Sequence, residues 1–158
     1  MKTLQIATLL LAWLPLVAQT GDAGFKDSLD EAFGSDSVVI AANEHACWSF
    51  DMYVARNRAQ QMRGLMFVRE LPEFTGMIFV YRRADIRSMW MKNTLIPLDM
   101  LFVRGDGTVS SVIADTTPHS LDSRSSNEPV NFVIELNAGT AAKLGIGTES
   151  RIIFTNLD

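Results

Sequence analysis

From residue 38 onward the hydrophobic positions recur at every second residue more often than at every third or fourth. Trp48, Phe50, Met52 and Val54 alternate with Ser49, Asp51 and Tyr53. This is the period of a half-buried strand, because successive side chains of a strand point to opposite faces. Residues 76–81 (GMIFVY) form an unbroken apolar run and predict a strand buried on both faces. In residues 86–94 (IRSMWMKNT), Ile86 and Trp90 share one face with Lys92, while Met89 and Met91 share the other with Asn93. A strand apolar at its centre and polar at its end runs from core to rim. Residues 98–104 (LDMLFVR) predict a further strand, and Gly105-Asp106-Gly107 is a hairpin signal leading into TVSSVIA. Val130, Phe132, Ile134 and Leu136 alternate with Asn131, Val133 and Glu135, and residues 151–155 close the series.

Helical signals are few. Asn57 followed three residues later by Gln60 reads as a capping box, and Ala59, Met62 and Met66 then fall on one helical face. A second short helix over 140–144 stops at Gly145, a residue suited to the left-handed position after a helix. The stretch 116–129 is polar, Ser-rich and long for a loop. About seven strands, short turns and one or two short helices predict a mainly β chain with a minor α part, built as a β-sandwich or partly closed barrel.

Ahead of this pattern, Lys2 and the apolar run 6–18 (IATLLLAWLPLVA) read as a secretory signal peptide. The run is shorter than the roughly 20 apolar residues a membrane-spanning helix needs, so export with cleavage near 18–23 is expected, leaving no span in the mature form. Ala23 with Gly21 fits the small-residue cleavage rule better than Ala18 with Leu16. The expected organisation is a signal peptide over 1–23, a flexible Gly/Ser/Asp leader over 24–37, and one domain over 38–158. A periplasmic or secreted destination follows.

Composition narrows the chemistry. Cys47 is the sole cysteine, so no intramolecular disulfide forms, and its place beside Trp48 suggests a small buried hydrophobe. With only His45 and His119 as further soft ligands, neither a metal site nor a cofactor is expected. The methionines at 66, 77, 89, 91 and 100 sit at strand-core positions, where packing explains them. Net charge is −4, yet residues 56–104 hold nine basic residues against four acidic ones. That local surplus fits either an anionic partner or solvated turns and helix faces. An acidic pI of about 5.1 without interleaved basic and aromatic residues argues against nucleic acid.

The blocks RGLM (63–66), GMIFV (76–80), WMKNTLIPLDMLFV (90–103) and FVIELNAGTAAKLGI (132–146) occur in that order. Together they resemble the domain-of-unknown-function family 192 over about residues 48–154. The resemblance implies a compact, mainly β domain of sandwich type, often behind a signal peptide, and implies no activity.

The most suggestive polar residues lie within or beside apolar strands: Trp90, Lys92, Asn93, Asp99 and Glu135, with Arg63 at the first helix. Charges removed from water need partners or a purpose. In one reading Lys92 and Arg63 face an anionic group, Asn93 orients it and Trp90 forms a wall. In another, the chain turns at Lys92-Asn93-Thr94, Asp99 caps or pairs with Lys92, Glu135 pairs with Arg63, and the network fixes strand register. Asp99 or Glu135 could also serve a hydrolase as general base or as a carboxylate pair. No G-x-S-x-G elbow or phosphate-cradling loop is present to name a catalytic residue. The leading expectation is an exported binding or accessory module for a small polar or anionic ligand or an envelope protein. A hydrolase acting on a cell-envelope substrate and a purely structural domain are the rivals.

Overall fold

The computed structural model describes residues 29–154. Nine strands and two named helices follow in the order β1 (Gly34–Asn43), β2 (Ala46–Ala55), α1 (Arg58–Arg63), β3 (Thr75–Asp85), β4 (Ser88–Met89), β5 (Leu98–Val103), β6 (Val109–Thr116), β7 (Arg124–Ser125), β8 (Val130–Asn137), α2 (Thr140–Leu144) and β9 (Arg151–Phe154). Seven strands form one sheet in the order β6-β5-β8-β3-β2-β1-β9. Only β2 and β3 run parallel, and the chain between them carries α1. The two edge strands meet. Val109 N–H donates to the Ser150 carbonyl at 2.8 Å, Ile152 N–H to that of Gly107 at 2.7 Å, and Thr108 bridges Arg151. The sheet therefore curls into a partly closed barrel, one of the two architectures the strand pattern allows.

Alternation along the central strands divides the apolar residues into two cores. Val38, Ile40, Phe50, Met52, Ile78, Leu101, Ile134 and Ile152 point into the barrel, with contributions from all seven strands. Ala141 and Leu144 of α2, followed by Ile146, plug one end. Residues of opposite parity, including Met77, Phe79, Met100, Phe102 and Val133, point outward yet remain buried. They are covered by Leu29 and Phe33, by Leu65, Val68 and Leu71 after α1, and by Met91. The run 76–79 is thus buried on both faces, as its unbroken apolarity predicts.

The expected helices form where expected. Asn57 Oδ1 accepts from Gln60 N–H at 3.0 Å and Gln60 Oε1 accepts from Asn57 N–H at 3.3 Å, completing the capping box. The strand expected over 86–94 shrinks to Ser88–Met89, paired only with β7, because the chain turns at Met91–Thr94 with Asn93 in the left-handed region (φ 57°). Cys47 is exposed, not buried: on β2 it shares the outward parity of Ser49 and Asp51, beyond the reach of the covering segments. Within the stretch read as a leader, residues 29–32 form a helical turn and β1 begins at Gly34. The signal peptide lies outside the described residues.

Asp99 ties the end of the barrel together. It is fully buried on the inward face of β5. Its carboxylate accepts from the backbone N–H of Asp115 (2.9 Å), Gly139 (3.2 Å) and Ala141 (2.9 Å). Gly139, at the start of α2, has no capping side chain of its own, so Asp99 supplies the cap from a neighbouring strand. Asp99→Ala leaves three amides without an acceptor and is expected to cost about 3–5 kcal/mol in denaturant unfolding. Asp99→Asn, which keeps one oxygen, is expected to cost less. An unchanged midpoint for Asp99→Ala would sink this assignment. At the barrel seam, Gly107 has φ 86° and an added Cβ would strike the Ile152 carbonyl. Gly107→Ala is expected to lose about 2–3 kcal/mol by the same measurement.

Candidate functional site

Outside the barrel, where the cover over β3 and β8 is incomplete, lies a cavity of about 460 Å³. That volume falls in the range of roughly 300–1,000 Å³ usual for small-molecule sites. Its floor is Glu135, on the outward face of β8, paired across the sheet with Met77 on one side and Met100 on the other. Both methionines are fully buried, and Glu135 is 4% exposed. Among the described residues no hydrogen bond or ion pair reaches its carboxyl. Burial in apolar surroundings disfavours the charged form and pushes the Glu135 carboxyl up to about 8. At neutral pH it is mostly a protonated acid.

Three covering segments build the walls. Gln61 Nε2 donates to the Val80 carbonyl at 2.9 Å, holding α1 over β3. The β4–β7 ribbon is knit by Arg87 N–H to Ser126 Oγ at 2.9 Å, Ser126 N–H to the Arg87 carbonyl at 2.8 Å, and a Ser88–Ser125 hydroxyl contact at 2.6 Å. Met91 N–H donates to the Ser120 carbonyl at 3.0 Å and so ties the chain before β5 to the chain before β7. Arg87 lies over the Tyr81 ring with its guanidinium carbon 3.9 Å from the centroid. Its Nη2 donates to the Arg83 carbonyl, while its buried Nε finds no acceptor among the described residues. The Tyr81 hydroxyl is held protonated above its ordinary range by burial first; Arg87 opposes that and Glu135 reinforces it.

The rim combines charge with apolar surface. Arg58 and Arg63 come from α1, and Arg87 and Lys92 from the segment between β3 and β5. Lys92 Nζ sits 5.2 Å from the Trp90 ring centroid, a cation–π contact. Met62, Ile86, Trp90 and Leu121 line the same cavity and are between 44% and 68% exposed. Isolated exposed apolar residues need no explanation, but four converging on one cavity do. The apolar face of α1 predicted from Met62 and Met66 thus turns toward the cavity, and no residue of that helix is buried.

Of the residues singled out in the sequence, Arg63, Trp90, Lys92 and Glu135 meet at this cavity. Asn93 stands behind it: its carbonyl accepts from Phe67 N–H at 2.8 Å and its Nδ2 lies 3.9 Å from Met66 Sδ. Asp99 does not belong to it. Met100 and Leu136 are the cross-strand partners of Glu135 and Asp99 respectively, so the two carboxyls point to opposite faces of the sheet and cannot flank one bond. Nor does Glu135 pair with a cation among the described residues, as a register-fixing network would require. Arg58, Arg87 and Tyr81 were not singled out individually; the basic surplus over 56–104 was the signal that held the first two. Among the described residues no group of three or more His, Cys, Asp or Glu could hold a metal ion.

Residues 38–154 match the family described as Uncharacterized ACR, domain of unknown function 192. A solved structure from Sinorhizobium meliloti 1021, provisionally named a transcription regulator, is 34% identical, with a TM-score of 0.76 over 77% of this chain and 95% of its own. A protein of unknown function from Novosphingobium aromaticivorans DSM 12444 is also 34% identical, with a TM-score of 0.73 over 76% of this chain and 85% of its own. No curated protein matches. The strand pattern, the barrel and the motif order agree with these matches, and the chain belongs to the domain-of-unknown-function family 192.

Proposed function

We propose that the chain is an exported binding module whose cavity takes a small ligand carrying an anionic group. The observation that carries this reading is the charge arrangement of the lining: among the described residues, four cations from α1 and the β3–β5 segment stand against one acid, Glu135, which sits at the floor. An anion at the rim gains charge-assisted hydrogen bonds from Arg87 and Lys92. Calorimetry and thermal shift against a panel of small carboxylates, phosphates and anionic sugars test the reading. Lys92→Ala and Arg87→Gln are each expected to weaken a bound anion about tenfold or more, with a melting temperature close to the parent's. A panel without a binder, or a binder indifferent to both substitutions, refutes it. Export is tested by the mature N-terminus in the envelope or medium, expected between residues 18 and 24; an uncut chain in the cytosol contradicts it.

A second reading is supported by Glu135 itself. A carboxyl held protonated in a cavity suits a general acid, and a hydrolase of envelope substrates would use it alone, since Asp99 faces the other side of the sheet. Turnover abolished in Glu135→Gln with binding retained would favour this reading over simple binding.

Either way Glu135 makes stability depend on pH. Below its ordinary value of 4.5 the carboxyl is protonated in both folded and unfolded chains, and its burial carries no ionisation penalty. As pH rises toward 8 the unfolded chain releases the proton while the folded chain retains it, so stability falls across that window. The loss is on the order of 4 kcal/mol by pH 8. Glu135→Gln is expected to flatten the profile and to be the more stable protein at pH 8, as read from denaturant unfolding at fixed pH values. Parallel profiles would overturn this account.

A further inference from the structure

We infer that the ligand is a zwitterion of amino-acid to dipeptide size, with its ammonium on Glu135 at the floor, its carboxylate among the rim cations, and an apolar body between them. The inference rests on the anionic-ligand reading and adds the ligand's other end.

Three features of the cavity converge on it. The floor is a nearly fully buried carboxyl, flanked by Met77 and Met100, that accepts nothing among the described residues. Such a group calls for a donor from outside the protein, and a cationic donor most of all, because it compensates the charge that burial otherwise penalises. The charged groups of the rim are cations, Arg58, Arg87 and Lys92 among them, and the buried Arg87 Nε lacks an acceptor among the described residues. The rest of the lining is mixed: Met62, Met66, Met89, Trp90 and Leu121 supply apolar surface beside the small polar side chains of Ser88, Thr94 and Ser123. A pure anion satisfies the rim and leaves the floor unpaired. A pure cation pairs with the floor and is repelled at the mouth. A fatty acid fills the walls and places methylene groups against Glu135. Only a molecule charged oppositely at its two ends, with an apolar body between, engages all three.

The titratable and charged groups that share the cavity with Glu135 are Tyr81 from β3, a neutral phenol, Arg58 and Arg63 from α1, and Arg87 and Lys92 from the β3–β5 segment. Burial alone raises the Glu135 carboxyl. Docking an ammonium against the acid favours the carboxylate, so Glu135 gives its proton to solvent as the ion pair forms. Atoms and charge balance with one proton released per ligand bound.

The test is calorimetry of the purified protein with L-phenylalanine and L-leucyl-L-phenylalanine, each in its free, N-acetylated and C-amidated forms. At pH 6.5 the free dipeptide is expected to bind. Acetylation and amidation are each expected to weaken it at least tenfold, and titration in buffers of different ionisation enthalpy is expected to show close to one proton released. Glu135→Gln is expected to abolish both the proton release and the preference for a free amine. Arg87→Gln is expected to abolish the preference for a free carboxylate. Melting curves of both variants check that they are folded. Acetylated forms that bind as well as free ones overturn the zwitterion while leaving the anionic-ligand reading standing. If none of the forms binds, the inference fails, and the anion panel decides the broader reading on its own.

Discussion

Strands β3, β5 and β8 carry apolar side chains on both faces, and neither face can be left in water. The inner face buries itself by curling until β6 and β9 meet. The outer face cannot close on itself, so the chain covers it with the excursions between its strands. Burying apolar surface drives both solutions, at roughly 25 cal/mol per Å², but they differ in quality. A curled sheet, plugged at one end by α2, encloses its core. Irregular segments enclose theirs only where apolar residues such as Leu65, Val68 and Met91 happen to reach. The cavity lies where that reach ends.

The same division sets the fates of two carboxyls on neighbouring strands. Asp99 and Glu135 are one register step apart across the β5–β8 ladder. That step sends Asp99 inward, where three backbone amides receive it at the foot of a helix. It sends Glu135 outward, between two methionines, where no donor among the described residues meets it. One acid is built into the architecture and the other stands without a partner among the described residues. A protein interior rarely tolerates the second condition without use for it.

Much of this was legible in the chain. The capping box at Asn57 and Gln60, the doubly buried run 76–79, the hairpin at Gly105–Gly107 and the helix stop at Gly145 are local signals, and local backbone chemistry honours them. The site was legible in part. Arg63, Trp90, Lys92 and Glu135 could be marked as polar or aromatic residues in unexpected company, since burial of charge is visible in a strand pattern. Which sheet face each occupied was not, because a run apolar on both faces does not say which face curls inward. Cys47 was misplaced because its place beside Trp48 was weighed above the polar parity it shares with Ser49 and Asp51. Residues 86–94 kept an alternating pattern but lost their strand, since a turn at Asn93 and a partner of only two residues outweighed periodicity. Arg58 and Arg87 meet only through loop geometry, which leaves no period to read.

The separation of barrel from cavity bears on how such a protein can diverge. The residues that seal the barrel and those that line the cavity belong to opposite parities of the same strands, and most of the lining comes from the connecting segments. A substitution at Met62, Leu121 or Lys92 disturbs no inward-facing contact, so new recognition can be tried there while the inherited architecture stays intact. Glu135 is the exception, fixed in the sheet itself. Descendants of one ancestor could therefore keep the barrel and that acid while exchanging the rim, without first surviving a crisis of folding.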